Sequence, residues 1–209
     1  MKIVPALLTD KVQNLELMLS QVETFIDFVQ IDFMDGSFVP SKSIAAEDLA
    51  GIRIPIGWEA HLMVQDPVYY LSSFNKQGLK RAIFHWEASP HPESIISDIR
   101  NLGLEVGLAV NPETSFSDFE RVVAQIDAVL FLTVHPGFYG SPFIPEVLEK
   151  IEDFRSHFPS KLIGVDGGIS LENIQKVRLS GADYACVGSR IFRHEDPRQS
   201  YEEFARAIE

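Results

Sequence analysis

The sequence predicts a closed (β/α)8 barrel. Short apolar, β-branched segments alternate with longer amphipathic segments along all 209 residues, which is the pattern of parallel strands joined by helices. Successive short segments start roughly 22 to 33 residues apart, about the length of one βα unit. No Gly-x-Gly-x-x-Gly turn follows the first of them. The even spacing and the missing glycine turn favour the barrel over the alternative, an open doubly wound sheet.

The predicted strands have the composition of parallel strands that are buried on both faces. We expect them at Lys2–Leu8, Phe25–Phe33, Trp58–Val64, Arg81–Trp86, Glu105–Val110, Ala128–Val134, Leu162–Val165 and Asp183–Val187. A chain of 209 residues is near the small end for this fold, so its functional site must be built from strand ends and short loops.

The predicted helices follow the strands and carry recognisable end signals. Asp66 precedes Pro67, a plausible N-cap before a first-turn proline. Gly103 and Gly181 stand where two helices should end. We expect helices at Val12–Val22, Ile44–Ala50, Val68–Lys76, Pro92–Leu102, Phe116–Gln125, Ile144–His157, Leu171–Leu179 and Arg198–Ile208.

Composition excludes several classes of protein. The chain is 45% hydrophobic and 23% charged, which is ordinary for a globular domain and unlike a disordered one. No apolar run reaches the roughly 18 residues of a membrane span, and the amino terminus lacks the apolar core of a secretory signal. We therefore expect one domain over residues 1–209, in the cytoplasm, with no membrane partner. The single cysteine, Cys186, excludes an internal disulfide framework and a cysteine-based zinc cluster.

The charge balance argues against nucleic acid as a partner. Thirty acidic residues against 18 basic ones leave a net charge of −12, and no concentrated basic patch is visible in the sequence. A small anionic substrate remains possible, because backbone N–H groups bind anions whatever the net charge of the protein.

Several polar residues interrupt apolar strands near the ends where barrel enzymes carry their chemistry. Gln30 and Asp32 are two residues apart and therefore point to the same face of the second strand. His61 lies at the end of the third strand, and Asp166 lies at the end of the seventh. Buried carboxylates are rare unless they are paired or coordinated. Asp32, His61 and Asp166 are thus candidate ligands for a divalent metal ion on the barrel axis.

Glycines after the last three strands predict a phosphate site. Loops in this position are the usual phosphate site of such barrels, because glycine lets backbone N–H groups approach the phosphate oxygens. Tight strand-to-helix turns are the simpler explanation for any one of these glycines. The candidate residues are Gly137, Gly140, Ser141, Gly167, Gly168, Gly188 and Ser189.

The sequence also resembles the ribulose-phosphate 3-epimerase family nearly from end to end. The resemblance rests on seven segments in the family's order, and together these motifs are highly specific. They are Ile31-Asp32-Phe33-Met34-Asp35-Gly36-Ser37-Phe38-Val39-Pro40, Ala60-His61-Leu62-Met63-Val64, His85-Trp86-Glu87, Gly107-Leu108-Ala109-Val110-Asn111-Pro112, Thr133-Val134-His135-Pro136-Gly137-Phe138 with Val165-Asp166-Gly167-Gly168-Ile169, and Val187-Gly188-Ser189-Arg190-Ile191-Phe192.

The resemblance implies a TIM barrel of the ribulose-phosphate-binding type that epimerises C3 of a ketose phosphate. It implies that Asp32 and Asp166 are acid and base on opposite faces of the sugar, and that both bind the metal with His61. Met34 and Met63 match methionines that line the family's substrate site. The implied cofactor is one divalent metal ion, the implied partner is a small sugar phosphate, and the implied assembly is a homo-oligomer.

Several positions depart from the family pattern, among them Leu132, His135 and Tyr139, and two departures bear most directly on metal and substrate. Gln30 stands where the family has a second metal-binding His, and Ala6 stands where it has a substrate-contacting Ser. A Gln amide oxygen is a poorer zinc ligand than imidazole. We therefore interpret Gln30 as a weak fourth ligand and expect a weakly held Zn, Mn, Fe or Mg ion.

Two other functions are kept as alternatives. One is a phosphosugar-binding barrel with lost or altered catalysis, which Gln30 and Ala6 would suit. The other is a related sugar-phosphate lyase or decarboxylase. Those relatives carry Asp-x-Lys-x-x-Asp on a strand, and Met34 fills the Lys position here, which disfavours that alternative.

Overall fold

Eight parallel strands close into one barrel in sequence order, β1 to β8, with β8 returning to pair with β1. The computed structural model describes residues 1–74, 78–137 and 141–209. This architecture confirms the predicted fold class. The strands are β1 Lys2–Leu7, β2 Phe28–Met34, β3 Gly57–Met63, β4 Leu79–His85, β5 Glu105–Val110, β6 Ala128–Leu132, β7 Leu162–Asp166 and β8 Tyr184–Val187.

All eight predicted strands are present, and their ends differ from the predictions by up to three residues. The largest shift is in β2, which begins at Phe28 because the preceding residues form a turn, with the Ile26 N–H donating to the Val22 carbonyl at 3.0 Å. At β6 the strand ends two residues before the predicted Val134. After Leu132 the backbone bonds to the following loop: the Ile144 N–H donates to the Thr133 carbonyl at 2.8 Å.

Helices and 3-10 turns cover the outside of the barrel. None of the helices among the described residues is long and apolar enough to cross a membrane. The α-helices are α1 Val12–Val22, α2 Pro67–Ser73, α3 Pro92–Asn101, α4 Phe116–Phe119, α5 Val147–His157, α6 Ile174–Leu179, α7 Ser189–Phe192 and α8 Pro197–Ala207, and the 3-10 segments are Ala46–Gly51, Trp86–Ala88 and Glu120–Gln125.

Some helix predictions need correction. The predicted helix over Phe116–Gln125 is α-helical only to Phe119 and continues as a 3-10 segment. That segment contains adjacent Val122 and Val123, whose branched side chains disfavour the α conformation. The segment predicted as a helix over Ile44–Ala50 is also a 3-10 turn. Helix α7 was not predicted. Lys76, the predicted end of the helix Val68–Lys76, lies outside the described residues.

The predicted helix ends are confirmed at the strongest signals. The Asp66 side chain accepts a hydrogen bond from the Tyr69 N–H at 3.1 Å, and Pro67 follows it as the first residue of α2. Gly103 and Gly181 have φ values of 75° and 99°. A left-handed conformation at these two positions ends helices α3 and α6.

The amino-terminal half of the barrel interior is closed by a buried ion pair beneath the polar strand ends. Arg81 on β4 donates to Glu59 on β3 at 2.8 Å, and the Glu59 side chain is fully buried. Burial raises the pKa of Glu59 to about 7, although the Arg81 charge opposes the shift. The Arg81 guanidinium lies 5.9 Å from the ring centre of Tyr184 on β8. These side chains fill the barrel interior beneath the polar strand ends, so the polar side chains there pack against a filled interior.

Tyr184 fits inside the barrel only because β7 carries Gly164 beside it. A Cβ atom at Gly164 would lie 2.3 Å from Tyr184 Cζ, and the Tyr184 ring is buried inside the barrel. We expect Gly164→Ala to lower the free energy of unfolding by about 1–3 kcal/mol through overpacking, measured by urea denaturation. Gly51→Ala is the matched control, since nothing lies within 4 Å of a Cβ there. Equal stability of both variants would contradict this packing.

Candidate active site

A cavity of about 1190 Å³ opens at the carboxyl ends of the strands. Most of the residues that the sequence singled out line it. Gln30 and His61 lie fully buried just beneath, and Gly140 lies outside the described residues. The lining residues from the predicted set are Asp32, Met34, Met63, Gly137, Ser141, Asp166, Gly167, Gly168, Gly188 and Ser189.

Three of the predicted residues converge on one point. Asp32 and His61 are register partners on neighbouring strands β2 and β3, and Asp166 comes from the end of β7. His61 Nδ1 lies 3.0 Å from Asp32 Oδ1 and 3.3 Å from Asp166 Oδ2. One ligand atom from each residue lies within 4.8 Å of the others. Two carboxylate oxygens and one imidazole nitrogen at this spacing fit a divalent metal ion and leave coordination positions open.

The two carboxylates make His61 hold a proton. Burial alone lowers the pKa of His61, but hydrogen bonds to Asp166 and Asp32 outweigh it and raise that pKa to about 10. Burial also raises the pKa of Asp32. Both shifts favour protonation within this buried group of side chains. The geometry places that proton on His61 Nδ1, between the carboxylates.

A second histidine fixes the orientation of His61. His61 Nε2 lies 2.9 Å from His85 Nε2, at the end of β4. Burial lowers the pKa of His85 to about 4, so His85 is neutral at pH 7 and accepts this hydrogen bond. Its Nδ1 lies 3.4 Å from Glu87 Oε2. A metal-binding His needs such a partner on its second nitrogen to hold ring and tautomer, and the sequence assigned no role to this pair.

Glu87 is in turn held by the loop after β5. It accepts hydrogen bonds from the Asn111 N–H at 2.9 Å and from the Thr114 hydroxyl. Burial favours its neutral form, but hydrogen bonds from His85 and Thr114 outweigh this and lower the pKa of Glu87. The motif His85-Trp86-Glu87 was visible in the sequence; its link to His61 depends on contacts between strands.

Gln30 is placed next to the two catalytic candidates, with its nitrogen toward them. Gln30 Nε2 lies 2.9 Å from Asp32 Oδ1 and 3.0 Å from Asp166 Oδ2. Its Oε1 accepts a hydrogen bond from Cys186 Sγ at 3.1 Å. Burial raises the pKa of the Cys186 thiol well above its ordinary value, so the thiol is protonated and donates. An oxygen-ligand role for Gln30 requires this amide to turn over.

Those predicted phosphate residues that the structure describes line the rim of the cavity between β6, β7 and β8. Gly167 and Gly168 have φ values of 109° and 65°. A Cβ at Gly167 would lie 2.5 Å from Val134 Cγ2, and one at Gly168 would lie 3.1 Å from the Phe143 backbone. Only glycine fits both positions, so the backbone after β7 stays uncovered toward the cavity.

Met34 and Met63 form the apolar wall. Both are buried and pack with Val39 into a small cluster, against which Leu8 and Phe38 lie. This wall faces the cavity beside Asp32. A small molecule in this cavity would meet carboxylates at the bottom and a polarisable apolar surface at the side.

The chain matches known proteins of one family over most of its length. The model of the ribulose-phosphate 3-epimerase family matches residues 2–192. The ribulose-phosphate 3-epimerase of Schizosaccharomyces pombe is 32% identical over 204 residues, covering 95% of this chain and 90% of the relative. That of Aquifex aeolicus is 38% identical over 178 residues, covering 81% and 79%.

A solved structure shows the same architecture at low identity. The 3-hexulose-6-phosphate synthase from Salmonella typhimurium has a TM-score of 0.70 and 15% identity, covering 100% of this chain and 98% of the other. At that identity the likeness concerns the fold alone. The family match spans most of the chain and includes Asp32, His61 and Asp166. The chain therefore belongs to the ribulose-phosphate 3-epimerase family.

Proposed function

We propose that this protein is a ketose-phosphate 3-epimerase that interconverts the C3 epimers of a ketopentose phosphate. The observation that carries the proposal is the placement of two carboxylates, Asp32 and Asp166, in the floor of one cavity. They come from β2 and β7, with β1 and β8 between these strands around the barrel. Two acid–base groups that reach one carbon from different sides are what inversion at that carbon needs.

The reaction consists of two proton transfers on opposite faces of C3. One carboxylate removes the proton from C3, next to the C2 carbonyl, and the electron pair passes into an enediolate. The other group, starting as a carboxylic acid, returns a proton to the opposite face of C3. Each turnover therefore exchanges the protonation states of Asp32 and Asp166.

A divalent metal held by Asp32, His61 and Asp166 would supply Lewis-acid stabilisation of the enediolate oxygens. His85 and Glu87 keep the His61 ring turned toward this position. Oxygen and imidazole ligands suit Zn, Mn, Fe or Mg, and we propose that the ion is weakly held.

The substrate phosphate is proposed to bind at the rim of the cavity, on the backbone of Gly167, Gly168, Gly188 and Ser189. The side chain of Ser189 is exposed there. Gly137 and Ser141 line the same rim, and Gly140 remains a prediction. Backbone N–H groups bind phosphate without a local positive side chain, which accords with the acidic composition of the chain.

Metal uptake is expected to release a proton. The metal takes the place of the proton on His61, whose pKa is about 10, so protons compete with the ion over the neutral pH range. Zinc uptake at pH 7 should release about one proton, and affinity should rise about tenfold per pH unit between pH 6 and 8. Calorimetry in buffers of different ionisation enthalpy measures the proton count. A pH-independent affinity would contradict the assignment of His61.

The proposed activity is tested by incubating metal-loaded protein with ribulose phosphate in deuterated water. We expect the C3 epimer to form and deuterium to appear at C3, both followed by proton NMR. Free ribulose is the control for the phosphate site and should react far more slowly. Phosphate-dependent binding with neither epimer nor deuterium would overturn catalysis and favour a phosphosugar-binding barrel.

A further inference from the structure

The Gln30 carboxamide lies between the carboxylates that the proposed function makes acid and base. We propose that Gln30 is a positioning residue and not a metal ligand: its amide N–H groups bridge Asp32 and Asp166, and the Cys186 thiol holds the amide in that orientation. The inference rests on the proposed function only for the roles of the two carboxylates. Gln30 Nε2 lies 2.9 Å from Asp32 Oδ1 and 3.0 Å from Asp166 Oδ2. Gln30 Oε1 lies 3.1 Å from Cys186 Sγ.

The orientation of the amide follows from its three partners. In the observed orientation each polar group of the amide meets a complementary one: N–H faces carboxylate oxygens, and the carbonyl oxygen faces S–H. The reverse orientation would set the amide oxygen about 3 Å from two carboxylate oxygens, and its N–H groups would face the Cys186 sulfur, which is only a weak acceptor. Gln30 is fully buried and Cys186 is 2% exposed, so water cannot relieve such mismatches.

The bridge closes a ring of alternating nitrogen and oxygen atoms. Gln30 Nε2 and His61 Nδ1 both face Asp32 Oδ1 and Asp166 Oδ2, at 2.9, 3.0, 3.0 and 3.3 Å. If Asp32, His61 and Asp166 held a divalent metal ion, His61 would give up its Nδ1 proton and the hydrogen bonds of Gln30 to the two carboxylates would remain. The carboxylates thus keep their spacing with and without the ion. Their oxygens share electron density with N–H donors, which weakens their hold on the metal.

Cys186 is positioned for this role by the strand register. It is the register partner of Asp166 on the neighbouring strand β8, and its side chain belongs to the cluster that fills the barrel interior. The thiol therefore contacts the oxygen of the Gln30 amide, on the side opposite the carboxylates. Without a donor at position 186, Oε1 is left buried and unpaired, and the amide gains the freedom to turn its oxygen to a metal.

Nitrogen-15 NMR of the side-chain amides tests the bridge directly. The Gln30 NH₂ signals of the metal-free protein are assigned by their loss in Gln30→Leu. We expect them at low field, exchanging with solvent at least about tenfold more slowly than those of exposed Gln13. They should stay there when Zn²⁺ is added. A shift to the ordinary position with zinc, or exchange as fast as that of Gln13 without it, overturns the proposal.

Variants of Cys186 test the thiol. Cys186→Ser keeps a hydrogen donor and should keep the slow exchange, whereas Cys186→Val should speed it by about fivefold. Cys186→Val should also tighten zinc binding by about three- to tenfold in the wild-type background and leave it unchanged beside Gln30→Leu. Equal effects in both backgrounds mean that Cys186 acts by packing, which overturns its role. Cys186→Ala replaces Cys186→Val if the larger side chain prevents cooperative unfolding.

These measurements separate the two proposals. Slow Gln30 exchange in a protein that does not epimerise ribulose phosphate leaves the bridge standing and removes the enzymatic assignment. Epimerase activity with a Gln30 signal that moves on zinc binding keeps the enzyme and makes Gln30 a ligand.

Discussion

Replacing Asp166 with asparagine is expected to lower the rate of C3 epimerisation by at least about 10³-fold. Asparagine has the shape of aspartate but cannot take or return a proton, and it removes one proposed metal ligand. The change leaves the fold unaffected, because Asp166 lies at the end of β7 and faces the cavity. Formation of the C3 epimer of ribulose phosphate, followed by NMR in deuterated water, measures the effect.

The matched control is Asp153→Asn, on helix α5, where the carboxylate is 61% exposed. It should keep the wild-type rate. If Asp166→Asn still exchanges the C3 proton with solvent without forming the epimer, Asp32 acts on its own face. Epimerisation by Asp166→Asn at the wild-type rate would contradict the two-carboxylate mechanism.

Replacing Ser189 with aspartate is expected to raise the KM for ribulose phosphate by about 10- to 100-fold. The new carboxylate would stand beside the proposed phosphate position, where two like charges about 4 Å apart repel by several kcal/mol at intermediate dielectric. Ser189 suits this test because its side chain is exposed. A Cβ at neighbouring Gly188 would lie 3.0 Å from the Ala6 carbonyl, so substitutions there would confound charge with packing. Steady-state kinetics measures the change.

Ser189→Asn is the control for this second variant, because asparagine has the size of aspartate without its charge. Its KM should stay within a few fold of wild type, and the KM of Ser189→Asp should fall as salt screens the repulsion. Equal KM values for the two variants would place the phosphate elsewhere in the cavity.

The barrel itself could be predicted because the same pattern, an apolar strand followed by an amphipathic helix, repeats along the chain. Each strand is buried on both faces, so each reads as an apolar run such as Ala128–Leu132, and each amphipathic helix covers one such strand. Helix ends were predictable where one residue carries the whole signal, as Asp66 and Gly103 do. Strand ends and the 3-10 segment Glu120–Gln125 were not, because neighbouring backbone decides there which hydrogen bonds are made.

Candidate site residues could be found because polar groups are unusual at the ends of apolar strands. Asp32, His61 and Asp166 stand out in the sequence for that reason, and parallel strands bring their carboxyl ends to one edge. Residues whose role depends on a partner could not be found in this way. Cys186 in an apolar strand is indistinguishable from a packing residue until the Gln30 oxygen is seen 3.1 Å away.

By itself, the sequence determined the barrel, the edge that carries the site and the side chains that meet there. Only the tertiary structure decided how those side chains are oriented: the Gln30 nitrogen toward the carboxylates, the His61 ring against His85, and the proton between Asp32 and Asp166. The physical reason is the distance along the chain between the residues that decide each feature. The apolar run that marks each strand is a property of consecutive residues, whereas the orientation of Gln30 depends on a residue 156 positions away, through contacts that exist only once the barrel has closed.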